Sequence, residues 1–333
     1  MPSKAGARPM RVVLHGLPYF CAKLQEILRD EGWDVRFHPS HSLRGLFKLT
    51  LDLAHSDLAF TWGGRVSMGM FLWAARLLRK RNIVILWCGS DVLYAKADLE
   101  AGRRSSWIAE KIHWAVSPVL TEEVRALGLE CEFVQTSFTD SVRNVVPLPE
   151  KFSVLAFVPG LQKGTLYGLD HIQAVASLMP DVEFKTVGWL EGERPIGPPN
   201  LKILGRSEDL TPFYQQATVV WRPVQHDAGV SFMVLEALAQ GRHVIYSYPF
   251  PECVQATTVE RVHQELRRLQ ALHAAGNLHL NQAGIKIVAE VFSPEKVRAT
   301  LLYKWNQILC SGRANPESLL EKQEFRDSSP VSR

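Results

Sequence analysis

Short apolar runs alternate with segments of helical spacing along almost the whole chain of 333 residues. The first run covers 11–15 and ends at Gly16. The next segment has apolar residues at the helical spacing of three or four, namely Phe20, Leu24, Ile27 and Leu28. Further strands are predicted at 33–38, 57–62, 83–87, 113–117 and 131–136. Strands that alternate with helices in this way are typical of parallel sheets covered by helices. The pattern therefore predicts an α/β fold.

The alternation stops at 137–151, a polar stretch that ends with two closely spaced prolines and so suits an extended linker. It then resumes, with strands predicted at 153–158, 182–187, 201–204, 218–222 and 243–247 and helices at 166–179, 230–240 and 293–309. We therefore predict an N-terminal α/β domain at 1–145 and a C-terminal one at 150–292. The last helix, within 293–311, is expected to pack back on the first domain, and 312–333 is expected to be a polar tail.

The composition is that of an ordinary globular protein, with 46% hydrophobic and 22% charged residues. A net charge of +4 is too small to indicate nucleic-acid binding. The five cysteines are scattered and form no C-x-x-C pair, which favours a reducing, cytoplasmic setting over disulfides or a zinc site. No apolar stretch approaches the roughly 20 residues of a membrane span, and no apolar run follows Lys4 and Arg8 as a signal peptide would require.

A basic cluster, Arg76 with the run 79–81, ends an apolar stretch that contains Phe71, Leu72 and Trp73. One interpretation is a core-facing helix whose C-terminal positive charges complement its dipole. The other is peripheral contact with the inner, anionic face of a membrane that carries a lipid-linked acceptor. The sequence leaves both interpretations open.

The segment 226–247 carries the clearest chemical signal. After Gly229 it becomes a predicted helix that is apolar on every side and in which Glu236 is the single charged residue, and such a helix is buried. A buried carboxylate needs partners. Glu236 therefore either emerges through a thin polar stripe with Gln240 or accepts hydrogen bonds from the vicinal hydroxyls of a ligand. In the second case the helix N-terminus at Gly229 would face the ligand's phosphates.

This segment resembles the donor-site signature of the retaining GT-B glycosyltransferases of the family 4-like, group 1 type, in which two glutamates flank seven residues. Glu236 matches the second glutamate, which holds the nucleotide ribose in that family. Ala228 stands where the first glutamate contacts the transferred sugar, so Asp227 or His226 would have to substitute for it. The resemblance also places Val230 at the donor.

Three further residues of the C-terminal half lie in segments that resemble the same family. Lys163, in the loop 158–164, matches a lysine that clamps the donor diphosphate, although the accompanying arginine is absent; otherwise it is a solvated loop lysine. Gly205 lies in a stretch that resembles the one that, in that family, lines the base pocket through backbone groups. Arg222, at the end of a predicted strand, either reaches phosphate or pairs with Asp227.

In the N-terminal half, the run 83–92 resembles the family's strand with a Trp-x-Gly-Thr-Asp-Val loop. The resemblance places Trp87 and Ser90 on the acceptor side, with Asp91 pointing into the cleft between the domains; otherwise Asp91 caps the next helix. Gly16 matches a glycine that lets the acceptor or a phosphate approach.

The resemblance implies a GT-B fold of two Rossmann-like domains facing across a cleft. It also implies transfer of a sugar from a nucleotide-diphosphate donor to a glycan or lipid-linked acceptor, with retention and without metal or cofactor. Lys163, Asp91 and Arg222 are the candidate catalytic residues. A nucleotide-sugar epimerase and a non-catalytic nucleotide- or glycan-binding protein remain alternatives. P-loop, dinucleotide-binding, zincin and serine-hydrolase motifs are all absent.

Overall fold

The computed structural model describes residues 8–29, 32–38, 43–139, 144–193, 195–207 and 209–311. Two six-stranded parallel sheets are found in these ranges, in strand orders β2-β1-β3-β4-β5-β6 and β12-β11-β10-β7-β8-β9. The predicted polar tail and the first seven residues lie outside them. No helix in these ranges is long and apolar enough to cross a membrane.

The N-terminal sheet has helices on both faces. Its strands are β1 Met10–Gly16, β2 Trp33–Phe37, β3 Leu58–Trp62, β4 Ile83–Trp87, β5 Ile112–Ala115 and β6 Cys131–Phe133. Its helices are α1 Pro18–Ile27, α2 Leu43–His55, α3 Met70–Leu77, α4 Asp91–Glu100, α5 Ser106–Ala109 and α6 Pro118–Ala126. The central strands β3 and β4 are buried along their whole length, which is why they form continuous apolar runs in the sequence.

The C-terminal sheet repeats this architecture. Its strands are β7 Ser153–Phe157, β8 Glu183–Trp189, β9 Leu201–Gly205, β10 Val219–Arg222, β11 His243–Tyr246 and β12 Cys253–Gln255. Its helices are α7 Leu169–Leu178, α8 Thr211–Gln215, α9 Phe232–Ala239, α10 Val259–Ala274 and α11 Gln282–Val291, and a 3₁₀ turn covers Leu161–Lys163. The sequence reasoning missed β12, α8, α10 and α11. The first two have only three and five residues, and α10 is mostly polar.

The last helix, α12 Pro294–Ser311, packs on the N-terminal domain although it follows the C-terminal one. Trp305 is fully buried, with its ring 5.6 Å from that of Trp33 and 5.8 Å from that of Phe60. Lys304 forms an ion pair with Glu132 at the edge of the same contact. The chain therefore crosses back after completing its second sheet.

Strand order fixes where a ligand can bind. In the first sheet β2 lies on one side of β1 and the next strand, β3, lies on the other. This reversal of direction opens a crevice beyond the carboxyl ends of β1 and β3. In the second sheet the same reversal lies between β7 and β10. Gly16 ends β1 and pairs in register with Trp62, while Arg222 ends β10. Both residues consequently lie at the mouths of these crevices.

Candidate active site

A cleft of about 1500 Å³ separates the carboxyl ends of the two sheets and is lined by both domains. From the N-terminal domain it receives residues that follow β1, β3 and β4. From the C-terminal domain it receives the turn after β7, the loop after β10 and the exposed side of α9. A volume of this size accommodates a ligand larger than most drug-like molecules.

Glu236 is the acid that α9 presents to this cleft. Its neighbours Leu235 and Ala237 are fully buried, whereas the Glu236 side chain remains 13% exposed. Gln240 is completely buried, so the polar stripe to solvent that would have explained Glu236 is not present. The hydroxyl of Tyr214, on α8, donates to Oε2 of Glu236 at 2.9 Å. Burial and the neighbouring carboxylate raise the pKa of Tyr214 well above its ordinary value, so this phenol remains a donor.

A lysine of the N-terminal domain reaches the same carboxylate. Lys23, on α1, lies with its Nζ 3.8 Å from Oε1 of Glu236, so the pair spans the cleft. The Lys23 ammonium also lies 4.7 Å from the ring centroid of Tyr19, within cation–π range. Sequence reasoning missed Lys23, because only the relative placement of the two domains brings it to Glu236.

Arg222 is buried and pairs with Asp227. Its Nη2 and Nε lie 3.1 and 3.3 Å from Oδ2 of Asp227, which also accepts from the Tyr246 hydroxyl at 3.2 Å. The guanidinium lies 4.6 Å from the ring centroid of Tyr167 and 5.9 Å from that of Phe157. Of the two roles predicted for Arg222, the pairing with Asp227 is the one observed, and the arginine still lines the cleft.

Asp91 organises two loops of the N-terminal domain. Its carboxylate accepts from the backbone N–H groups of Gly64, Cys88 and Gly89 at 2.6, 2.9 and 2.8 Å. Burial raises the pKa of Asp91, and these donors oppose that rise. Asp91 lines the cleft, but its acceptor capacity is directed at the backbone of the loops after β3 and β4. This geometry is that of a positioning residue.

The loop after β10 is held by the N-terminal domain. His226 Nε2 lies 2.9 Å from the Glu123 carboxylate of α6, and the Ser117 hydroxyl donates to the Ala228 carbonyl. Ala228 is buried with the N-terminal core, and a Cβ on Gly89 would lie 3.7 Å from its methyl group. A glutamate at position 228 would have to displace the Gly89 loop. At the position where the family has its first glutamate, this chain therefore has a small residue that is buried in an interdomain contact.

Gly229 does not begin α9, contrary to the prediction. It adopts a left-handed conformation (φ 73°) next to Ser117, and α9 begins three residues later, after Ser231. The helix starts late because the preceding residues are bound to the N-terminal domain. Ser231 and Phe232 line the cleft, so the N-terminal N–H groups of α9 lie at the site that the prediction gave to Gly229.

Most, though not all, of the predicted site residues line the cleft. Those that do are Gly16, Ser90, Asp91, Lys163, Arg222, His226, Asp227, Val230 and Glu236. Trp87 does not, which corrects its placement on the acceptor side: it is fully buried, and its Nε1 donates to Nδ1 of His113 at 3.1 Å. Burial lowers the pKa of His113 to about 4, so the ring stays neutral and can accept. Gly205 ends β9 outside the lining, next to Arg206, which belongs to it.

Three cations face the cleft without an ion pair to any other described residue: Lys163, Arg65 and Arg206. Lys163 and Arg206 belong to the C-terminal domain and Arg65 to the N-terminal one. Such charges around a large cleft favour an anionic ligand. Within the part of the chain that the structure describes, no three His, Cys, Asp or Glu side chains are grouped to hold a metal ion.

Comparison with known proteins supports the expected family. Residues 153–265, which include Lys163, Arg222 and Glu236, match the sequence model of the family described as glycosyl transferases group 1. No curated protein sequence matches the chain. The predicted resemblance is thereby confirmed for the domain that carries the donor signature.

Solved structures of glycosyltransferases share the fold of the chain. A glycosyltransferase from Rickettsia africae ESF-5 is 12% identical with a TM-score of 0.63, over 91% of this chain and 99% of that one. Anabaena Alr3699/HepE, in complex with UDP-glucose, is 14% identical with a TM-score of 0.61, over 90% and 100%. S. aureus TarM, in a complex with UDP, is 9% identical with a TM-score of 0.53, over 78% and 59%. These likenesses confirm the GT-B fold.

Proposed function

We propose that this protein is a glycosyltransferase that moves a sugar from a nucleotide-diphosphate donor, with retention and without a metal ion. The observation that carries the proposal is Glu236, whose carboxylate the buried helix α9 presents to the cleft. The match of residues 153–265 to the glycosyl transferases group 1 family and the UDP-glucose bound to HepE support the same class of donor.

The cleft residues suit a reaction in which negative charge accumulates on a leaving diphosphate. Lys163, Arg222 and the first residues of α9 all line the cleft, and in this proposal the two cations and the N-terminal N–H groups of α9 would stabilise that charge. Glu236 would accept hydrogen bonds from the ribose hydroxyls and so fix the nucleotide. Asp91 would act indirectly, by holding the loops after β3 and β4 that face the sugar.

The acceptor would enter from the N-terminal side, past Gly16 and Ser90. We propose a glycan or a lipid-linked glycan as acceptor, a cytoplasmic site of action with peripheral contact to the inner membrane face, and no nucleic-acid partner. Gly16 allows a close approach there, because its φ of 125° and the nearby Trp62 carbonyl exclude a side chain.

A second candidate function is nucleotide or glycan binding without catalysis. Ala228 favours it, because this position lacks the family's sugar-contacting glutamate and its methyl group is buried against the N-terminal domain. An epimerase on the same fold is distinguished by its product, since it would alter the donor sugar with no acceptor present.

The test is calorimetric titration with UDP, GDP, ADP, CMP and their sugar conjugates, in buffer with a chelator. Binding of one nucleotide family, followed by transfer of its sugar to an acceptor, would support the proposal. Binding with neither transfer nor donor hydrolysis across a broad acceptor panel would establish the non-catalytic alternative. Binding of none of these ligands would overturn the donor site.

Lys163→Ala is expected to lower turnover about tenfold while changing nucleotide affinity less, because the lysine would act on charge that develops in the transition state. The measurement is steady-state transfer together with a calorimetric Kd. Lys286→Ala, on the exposed side of α11, is the matched control and should keep wild-type kinetics. Wild-type turnover in Lys163→Ala would remove the lysine from the mechanism.

A further inference from the structure

An apolar surface lies on two neighbouring helices of the N-terminal domain. Met70, Trp73 and Leu77 of α3 are 75%, 50% and 78% exposed, and they share one face of the helix. Phe47 and Leu51, one turn apart on α2, are 65% and 45% exposed. Single exposed apolar residues are common, but a group of five large ones on adjacent helices marks an interaction surface.

The two helices are held side by side. Lys80, just after α3, donates its Nζ to the carbonyls of Ala54 and Ser56 at the end of α2, at 2.8 and 2.7 Å. The helices also contact each other directly. The apolar residues of α2 and α3 therefore belong to one surface, which we call the α2–α3 surface.

Exposed positive charges accompany this surface on and beside the same two helices. The exposed basic residues on and beside the two helices are Arg44, Lys48, Arg76, Arg79 and Arg81. The run 70–82 contains no acid, and the acid of α2, Asp52, is paired with Arg36 and His38. The Arg76 guanidinium lies 5.7 Å from the ring centroid of Trp73, so charge and aromatic ring act together.

The α2–α3 surface reaches the rim of the cleft. Gly69, the N-cap of α3, is in contact with the guanidinium of Arg65, and Arg65 lines the acceptor side of the cleft. The first exposed apolar residue of α3, Met70, follows directly. Whatever binds to the surface is therefore next to the entrance for the acceptor.

We propose that the α2–α3 surface docks on an anionic lipid bilayer and that the acceptor of the proposed transfer reaches the cleft from that membrane. Exposed aromatic and aliphatic side chains, together with basic ones on and beside the same helices, match the boundary between anionic headgroups and acyl chains. A nucleic acid or an acidic protein would match the charge alone and leave the five apolar side chains unused. The second clause rests on the proposed glycosyl transfer, whereas the docking itself does not.

The structure shows how the two interpretations of the segment 71–81 divide between the faces of α3. Phe71 and Leu72 are buried in the domain core, as the core-facing interpretation requires. Trp73 faces outward with Met70 and Leu77, which the sequence alone did not separate from the core residues. One helix thus carries a core face and a docking face.

The experiment is flotation of the full chain with vesicles of phosphatidylcholine, with and without phosphatidylglycerol. The wild-type chain should bind the anionic vesicles. The partition coefficient should fall about tenfold or more in Trp73→Gln/Leu77→Gln and in Lys48→Glu/Arg81→Glu. Glutamine and glutamate are both good helix formers and all four substituted residues are exposed, so both variants should remain folded.

Matched controls alter equally exposed residues of the other domain: Leu178→Gln/Ile196→Gln for the apolar pair and Lys151→Glu/Lys286→Glu for the charges. Both controls should bind vesicles like the wild type. The proposal is overturned if neither vesicle type binds, if both bind equally, or if the α2–α3 variants bind like the wild type. Binding to polyglutamate without binding to vesicles would assign the surface to an acidic macromolecule instead.

Calorimetry on the same proteins separates this proposal from the proposed function. The α2–α3 variants should bind the nucleotide with wild-type affinity, because none of their substituted residues lines the cleft. A chain that binds vesicles in the expected way and no nucleotide would preserve the docking surface and overturn the transferase. A chain that binds nucleotide but does not bind vesicles would overturn the docking surface and leave the proposed transferase intact.

Discussion

Glu236→Ala is expected to weaken binding of the matching nucleotide by about 1–3 kcal/mol, a loss of roughly 5- to 150-fold in affinity. In the proposed function this carboxylate accepts two hydrogen bonds from the vicinal hydroxyls of the ribose, and bonds to a charged acceptor are the stronger kind. Alanine removes both acceptors and leaves the ligand hydroxyls without partners inside the cleft. The measurement is the calorimetric Kd of variant and wild type.

The contacts of Glu236 suggest how to sharpen that measurement. Lys23 lies close to the same carboxylate, so the difference in affinity includes the cost of rearranging this pair across the cleft. Tyr214→Phe removes one hydroxyl donor and keeps the carboxylate, so it should lower affinity less than Glu236→Ala. Glu290→Ala, on the exposed side of α11, is the control for loss of a glutamate. A folded Glu236→Ala protein with an unchanged Kd would exclude the ribose role.

Glu236 could be predicted from the sequence because its signal is local. An acid within an otherwise apolar helix is expensive to bury, so a single segment reveals both the helix and its unusual residue. The parallel sheets could be predicted for the same reason, since every strand except the three-residue β12 lies in a recognisable run of the sequence. The prediction that Trp87 lies on the acceptor side was wrong, because a buried tryptophan and a cleft-lining one can have the same neighbours in the sequence.

Lys23 and the contacts of Ala228 could not be predicted, because they depend on how the two domains meet. Lys23 lies 213 positions before Glu236 in the chain, and no local pattern relates them. The late start of α9 has the same origin: the Ser117 hydroxyl holds the Ala228 carbonyl, and the helix begins only beyond that contact. The details of the site that sequence reasoning missed are thus mostly interdomain contacts.

The pairing of Arg222 with Asp227 leads to the second large expected effect. Arg222→Met should lower the free energy of unfolding by about 3 kcal/mol, because it leaves the buried Asp227 carboxylate without its cation. Tyr246 continues to donate to Asp227, which keeps the loss at the lower end for broken buried pairs. The measurement is urea denaturation followed by circular dichroism, with the slope compared to that of the wild type.

The double variant Arg222→Met/Asp227→Asn distinguishes a structural pair from a phosphate ligand. If the arginine mainly neutralises Asp227, removing the carboxylate charge should restore a large part of the lost stability. Nucleotide affinity would stay low in both variants if the guanidinium also contacts the diphosphate. Arg267→Met, which breaks a half-exposed pair with Asp181, is the control and should cost less than about 1 kcal/mol. If Arg222→Met unfolded at the wild-type urea midpoint yet bound nucleotide poorly, the arginine would be a donor ligand first and a structural partner second.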